Sequence, residues 1–289
     1  MIPSNDPEVL REQYGSDYKL KLRQQTHDVY SVPRIDFPAW VLSRLPWRGG
    51  ERILDVGTGT GVYSAPVHDM VTEGQYIGLD LSAGMLETHP AQGHVIVGDA
   101  QHLPFADGAF DVIMANYMLH HVPDVEAAIR EFKRALKPDG VLVTATNSAT
   151  TMPELNFLFQ RAIVLLGQTG SVGGSIAPIY NAYTLENGTR VLARQFYTVV
   201  RYDMPSAFVF PTADPLITYM NSLRSLREPL LPKGIHWDDV LLVMREQANR
   251  VIAALGELVI QKVAGVLVAS DQGGAVADFV HRLHAAHPR

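Results

Sequence analysis

The sequence predicts an α/β protein, a doubly wound and mostly parallel seven-stranded sheet with a helical cap, and three observations carry that reading. Between Glu51 and Ala145 short apolar runs alternate with amphipathic stretches. The runs are apolar on both faces, as strands covered by helices on each side are. The first of them, "RILDV", opens directly into Gly57, Gly59 and Gly61, where a strand gives way to a helix.

Taken in order, "RILDVG" is the first strand and "VYSAPVHDMV" the helix after it. Pro66 is tolerated only near a helix start, so this helix is expected to begin late or to bend. "QYIGLDLS" is the second strand, "AGMLETHP" a short helix and "HVIVGDA" the third strand. "FDVIMANY" is the fourth, followed by the helix "DVEAAIREFKRAL". Lys137-Pro138-Asp139-Gly140 then reads as a turn ahead of the fifth strand, "GVLVTATN".

Beyond Asn147 the rhythm changes. "MPELNFLFQRAIVLLGQTG" carries apolar residues at 155, 158, 159, 162, 163 and 166, a helical stripe. A Gly/Ser loop, "GQTGSVGGS", could hinge a closing lid. Thr184 is the expected N-cap of "TLENGTRVLARQF". "YTVVRYDM" and "LVIQKVAGVLVAS" are late strands with helical sequence between them. The expected organisation is a helical lid over 1–50, an α/β core over 51–147, a cap insertion over 148–183 and a return to the core over 184–204. A second helical insertion over 205–256, a last strand over 257–270 and a C-terminal tail over 271–289 complete it.

Composition narrows the class. The chain has 289 residues, 47% of them hydrophobic, a net charge of −6 and no Lys/Arg-rich block. A phosphate backbone asks for a basic stripe, so no nucleic-acid partner is expected. No apolar run reaches the ~20 residues of a membrane span, and the N-terminal segment lacks the apolar core of a signal peptide. The absence of cysteine excludes disulfides, thiolate nucleophiles and cysteine-ligated metals. A cytoplasmic protein with no metal site is expected.

An open parallel sheet binds ligands beyond the carboxyl ends of its strands, so the three glycines belong beside a ligand. A dinucleotide fold wants G-x-G-x-x-G, whereas Val62 follows Gly61 here and the pattern is G-x-G-x-G. Asp55, two residues before the first glycine, suits a ligand carrying an ammonium group better than one carrying a pyrophosphate. The nicotinamide reading weakens accordingly.

"ILDVGTGTG", "YIGLDLS", "VGDAQHLPFADGAFDVIMANYMLHHVPD" and "EFKRALKPDGVLV" follow one another in a set order and spacing. In this the chain resembles the class I S-adenosylmethionine-dependent methyltransferases, in the small-molecule branch of ubiquinone biosynthesis and secondary metabolism. The resemblance covers about residues 50–147 and implies a Rossmann-like sheet with S-adenosyl-L-methionine as cofactor. It implies that Gly57, Thr58, Gly59 and Gly61 pass under the methionine part, with Asp55 near its amino group. Asp80 would accept the ribose hydroxyls, Leu81 and Met85 would pack on the adenine, and Asp99 with the Ala100 N–H would meet the adenine edge. The backbone of Asn116 would help hold the methionine end. The same fold also houses enzymes that bind this cofactor without methylating, cyclases among them, and that alternative stays open beside the weaker oxidoreductase reading.

Methyl transfer is a direct displacement, so the enzyme's main work is alignment and exclusion of water. An oxygen or acidic-carbon acceptor also needs a base. His120 and His121, just after the fourth strand, offer one; packing or acceptor positioning is the competing role. Relatives can carry an acid after the fifth strand, where this chain has Asn147. Tyr30 and Arg34 precede the first strand and could fold over the cofactor, Arg34 reaching its carboxylate. Tyr18, Phe157, Tyr183 and Tyr219 are candidates to line an apolar or aromatic acceptor site, with Phe159 beside them. No cysteine argues against arsenic methylation, and no Asn-Pro-Pro-Tyr follows the fourth strand. Oxygen, nitrogen and carbon acceptors otherwise remain open.

Overall fold

A computed structural model of the protein describes residues 18–167 and 182–272. The Gly/Ser loop beyond Gly167 and the tail beyond Gln272 lie outside the described residues. The chain divides into two compact units. The larger holds 36–149, 182–204 and 264–272 among the described residues, and the smaller holds 18–35, 150–167 and 205–263.

In the larger unit the strands are β2 (Arg52–Val56), β3 (Gln75–Asp80), β4 (Val95–Val97), β5 (Phe110–Met114) and β6 (Leu136–Asn147), joined by parts of β7 (Thr198–Phe210) and β8 (Leu258–Ser270). They lie in the order β7-β8-β6-β5-β2-β3-β4. β6, β5, β2, β3 and β4 pair in parallel, and β8 runs antiparallel to β6 with Ala264 opposite Asn147. The order reverses at β2, between β5 and β3, which is where such a sheet opens a crevice at its carboxyl edge.

The absence of alternation in the sequence now has its reason. Leu54, Val56, Ile113, Ala115 and Leu142 point into one apolar cluster, where α5 (Val125–Ala135) and α7 (Leu185–Leu192) supply Ile129, Phe132 and Leu192. Ile53, Val112, Met114, Val143 and Ala145 point to the other side, against Val41 and Leu42 of α2 (Phe37–Leu42) and Val67 of α3 (Ser64–Met70). Both faces of each strand are covered, so the strands read as continuous apolar runs. Side chains set the helix starts: Asp36 accepts from Ala39 N at 3.0 Å, Asp124 from Ala127 N at 2.9 Å, and Thr184 with Asn187 closes a capping box.

One boundary falls as Pro66 implied, and two differ from expectation. α3 begins at Ser64, late as Pro66 requires. Lys137–Gly140 is not a turn ahead of a strand: β6 starts at Leu136, and the four residues are an irregularity inside it, between the Phe110–Leu136 and Val112–Val141 pairs. β7 runs to Phe210, six residues past the expected end, so helical sequence resumes only at α8 (Asp214–Asn221).

The smaller unit has its own core. α6 (Pro153–Leu166) contributes Leu155, Phe159 and Ile163, α8 contributes Leu216 and Met220, and α10 (Trp237–Leu255) contributes Trp237, Val240 and Met244. In this unit α1 (Tyr18–Tyr30) leads into the two-residue strand β1 (Ser31–Val32), which pairs antiparallel with β7, Ser31 opposite Phe208. β1 makes the eighth strand, one more than expected.

Candidate active site

The glycine turn is the best-defined feature of the larger unit. Gly57, Gly59 and Gly61 all have positive φ, +68°, +57° and +79°, a region L-residues enter at a cost. Space is short as well. A Cβ on Gly57 would stand 2.6 Å from Met118 Cβ, and one on Gly61 would stand 2.6 Å from both His89 Nε2 and Pro90 Cδ. The turn is tied to β3 by Gly57 N–H donating to Leu79 O at 2.7 Å. Gly59 N–H donates to Asp80 Oδ2 at 2.8 Å, and Asp80 Oδ1 accepts from Ser82 N at 2.8 Å. Burial raises the Asp80 carboxyl above its usual range, against the pull of the Ser82, Gly59 and Leu81 N–H groups.

Asp55 lies beneath this turn at the end of β2, only 2% exposed. Its Oδ2 accepts from Thr58 Oγ1 at 2.9 Å and from Tyr76 Oη at 2.8 Å. Its Oδ1 accepts no hydrogen bond among the described residues. Burial pushes this carboxyl up to about 7, partly countered by the Tyr76 and Thr58 hydroxyls and aided by the nearby Asp80 charge.

The remaining expected contacts fall around the same carboxyl edge. Leu81 is 69% exposed, and Met85 is buried with its Cε 3.3 Å from where a Gly59 Cβ would be. Asp99 follows β4. Its burial is outweighed by hydrogen bonds from Gln101 N (2.9 Å) and the Gln101 amide, with His102 adding to them, so the carboxyl is held below its ordinary value. Ala100 beside it is buried. Asn116, just past β5, is buried with both side-chain amide atoms lacking a protein partner. Tyr117 next to it has φ 55°, a strained value for an aromatic residue. A buried amide without a partner among the described residues, beside strained backbone, is a feature that packing alone does not explain.

His120 and His121 occupy a 3-10 turn, Leu119–His121. Their ring centroids lie 4.0 Å apart with the planes tilted by 53°. His120 is buried and His121 half-buried.

Other candidates sit elsewhere. Tyr183, expected on the acceptor side, is instead a core residue of the larger unit: it is 1% exposed and its hydroxyl lies 2.7 Å from Thr144 Oγ1. Tyr18, Tyr30, Arg34, Phe157 and Tyr219 belong to the smaller unit. There Tyr30 packs on Phe210 at 5.2 Å, Arg34 donates to Val29 O at 3.3 Å, and Tyr219 is buried against Phe208. Tyr18 and Phe157 are exposed, and Phe159 is fully enclosed. Sequence reading missed Tyr76 and His89. The available signal was a tyrosine inside an otherwise apolar strand and a His-Pro pair closing the following helix. Among the described residues no cluster of His, Asp or Glu could hold a metal ion, and no helix is long and apolar enough to cross a membrane.

Residues 54–144 match the family described as a methyltransferase domain. A demethylmenaquinone methyltransferase of Staphylococcus haemolyticus is 38% identical over 111 residues, covering 36% of this chain and 46% of the relative. That of Corynebacterium efficiens is 33% identical over 125 residues, covering 43% and 53%. The chain thus spans about half the length of the curated relatives it matches. Among solved structures, the YcgJ protein of Bacillus subtilis is similar with a TM-score of 0.52 at 19% identity, covering 83% of this chain and all of that one. Phosphoethanolamine N-methyltransferase 2 of Haemonchus contortus, solved with S-adenosyl-L-methionine, has a TM-score of 0.55 at 17% identity, covering 92% and 60%. These two likenesses concern the fold.

Proposed function

The chain carries a class I S-adenosylmethionine-dependent methyltransferase domain, and on that premise we propose that the protein transfers a methyl group from S-adenosyl-L-methionine to a small-molecule acceptor. The observation that carries the reading is the glycine turn with an acid on each side: Asp55 below it with Oδ1 open, and Asp80 bonded to Gly59 N–H. The residues fit the cofactor. Gly57, Gly59 and Gly61 give a backbone surface without Cβ atoms, and Asp55 offers a carboxylate oxygen to the ammonium of the methionine end. Asp80 stands where an acid takes ribose hydroxyls in nucleotide folds. Leu81 and Met85 give the adenine an apolar bed, and Asp99 and Ala100 give its edge an acceptor and a donor. The orphaned Asn116 amide is available to the methionine end as well. When bound, the cofactor supplies a methyl group activated by a sulfonium.

This chain's own work is then to hold the two reactants in line and to keep water out. Where the acceptor loses a proton, His121 is the proposed base. It is the less buried of the two histidines, and the His120 ring packs against it at a tilt. The acceptor is proposed to be apolar or aromatic. The quinone-pathway names of the matched relatives support this reading. The lack of cysteine supports a cytoplasmic site of action.

The experiment is calorimetric titration with S-adenosylhomocysteine, S-adenosylmethionine and NADH, repeated on Asp80→Ala. Micromolar binding of the two sulfur compounds is expected. Asp80→Ala should weaken it on the order of 100-fold, as the loss of two hydrogen bonds to a charged group implies. Binding of NADH alone would overturn the reading. A mass-shift screen of apolar and aromatic acceptors would then identify the methylated product, and His121→Ala should lower turnover by about 10²-fold while leaving donor affinity in place.

A further inference from the structure

Beneath the glycine turn three oxygens form a triangle. Thr58 Oγ1 lies 2.9 Å from Asp55 Oδ2, Tyr76 Oη lies 2.8 Å from the same oxygen, and Thr58 and Tyr76 are 2.7 Å apart. A fourth short contact joins Thr58 Oγ1 to His89 Nε2 at 2.9 Å. His89 Nδ1 accepts the Ala91 N–H at 3.0 Å, so the imidazole proton sits on Nε2 and points at Thr58. Protons can now be counted. Four short contacts need four hydrogens, and Thr58, Tyr76 and neutral His89 supply three. The fourth belongs on Asp55 Oδ2. With Asp55 ionised, Thr58 and Tyr76 both donate to it, and their own 2.7 Å contact is left with no hydrogen between two oxygens.

We propose that Tyr76, Thr58 and His89 are positioning residues of the donor site, closing a hydrogen-bonded ring that keeps a proton on Asp55 until the ammonium group of the donor displaces it to solvent. The inference rests on the reading of this site as one for S-adenosylmethionine. The ring is held rigidly, since His89 and Pro90 fill the space that a side chain at residue 61 would need. The groups facing Asp55 are Tyr76 of β3, Thr58 of the turn, His89 after α4 (Ala83–Leu86), Asp80 at the end of β3 and Tyr63 ahead of α3. Lys and Arg are absent from this set, so no resident cation removes the proton. The position near neutrality of the Asp55 carboxyl agrees with the proton count. Donor binding therefore reads the ammonium end of its ligand through a proton, and a nucleoside without that end leaves the proton in place.

The test is calorimetry of the intact chain with S-adenosylhomocysteine and with 5′-methylthioadenosine, which lacks the amino-acid end, in buffers of different ionisation enthalpy. S-adenosylhomocysteine should release about half a proton at pH 7 and bind about tenfold tighter at pH 8 than at pH 6. Methylthioadenosine should release none and show no such dependence. Tyr76→Phe removes the Thr58–Tyr76 contact and with it the need for the fourth hydrogen, so proton release should fall and the pH dependence flatten. A merely buried acid would respond in the opposite sense. Losing a donor to its ionised form, it would hold its proton harder and release more on binding. Proton release that is absent in the unaltered chain, or that rises or stays constant in Tyr76→Phe, overturns the ring while leaving donor binding intact. If S-adenosylhomocysteine does not bind at any pH, the donor reading itself falls. Where Tyr76→Phe does not fold, Thr58→Val takes its place: it removes the same Thr58–Tyr76 contact, so proton release should again fall, and a rise or no change overturns the ring.

Discussion

Each unit buries an ionisable group that meets no opposite charge among the described residues, and the two compared, Asp55 and Lys262, are of opposite sign. In the larger unit it is Asp55, pushed up to about 7 by burial beneath the glycine turn. In the smaller it is Lys262 of β8, 6% exposed and pushed down to about 7, also by burial. Lys262 Nζ donates to Ser31 Oγ at 2.7 Å and to His27 Nδ1 at 3.1 Å, and it lies 3.8 Å from the centre of the Phe208 ring. Every one of those partners is neutral: burial, then Lys262 and Arg23, lower His27 to about 3. The difference is in what is left over. Asp55 keeps one oxygen without a protein partner, beside a backbone cleared of side chains. All the contacts of Lys262 are with its own unit. We read the unused valence of Asp55 as that of a proposed ligand site and the partnered Lys262 as part of a core.

The largest expected effect breaks the larger unit's side of this contrast. Gly61→Ala puts a Cβ into His89 and Pro90 at a backbone φ of +79°. Two penalties coincide, the left-handed backbone and the overlap, for a loss of about 2–4 kcal/mol in stability. The same overlap pushes the glycine turn out of place, so affinity for S-adenosylhomocysteine should fall at least 100-fold. Chemical denaturation and calorimetry check the two parts. Gly93→Ala is the control, because its φ is +86° and nothing stands within 4 Å of its Cβ. It should cost about 1 kcal/mol and leave binding alone.

The opposite signs give opposite pH slopes, the second effect in size. Asp55 holds its proton more tightly when folded, so the folded state binds the extra proton between about pH 4 and 7. Stability is lost as pH rises through that window, by on the order of 3 kcal/mol. Lys262 holds its proton less tightly when folded, so between about pH 7 and 10.5 the unfolded chain binds the extra proton. Stability is gained over that window by a similar amount. Hydrogen exchange separates the two, with β2 amides reporting the first slope and amides of residues 258–263 the second. Asp55→Asn should flatten the first slope only and Lys262→Met the second only. A single substitution that flattened both would remove the contrast.

How much of this was legible in the sequence follows the distance over which each feature is assembled. The glycine turn, Asp55 and Asp80 fall within one strand–turn–helix–strand unit, and their spacing encodes the geometry. The mostly parallel sheet and its two covered faces were legible for the same reason, since uniform apolar runs separated by helices leave few other sheets to build; the strand order was not. The ring was not, because Tyr76 and His89 meet Asp55 only after two strands have paired. His27 and Lys262 are 235 residues apart, and no local pattern announces their contact. Tyr183 misled for a related reason. A tyrosine close to an expected cap reads as a pocket wall, and only its partner Thr144 on β6 makes it core.

Tyr183 therefore supplies the smallest and sharpest test of the rule that leftover valence marks a site. Its hydroxyl is matched by Thr144 Oγ1, its ring lies against Gly188, where an added Cβ would approach Cζ to 3.1 Å, and burial raises its pKa far out of the physiological range. It has nothing to offer a ligand. Tyr183→Phe keeps the ring and its packing and removes one side of a single hydrogen bond. The Thr144 hydroxyl then loses its Tyr183 partner, for a cost of about 1 kcal/mol. A downward shift of a few degrees in melting temperature is expected, with donor affinity, proton release and turnover unchanged. A change in KM for the acceptor with stability intact would instead return Tyr183 to the acceptor site, and would show that a satisfied hydroxyl in the core can still be read by a ligand.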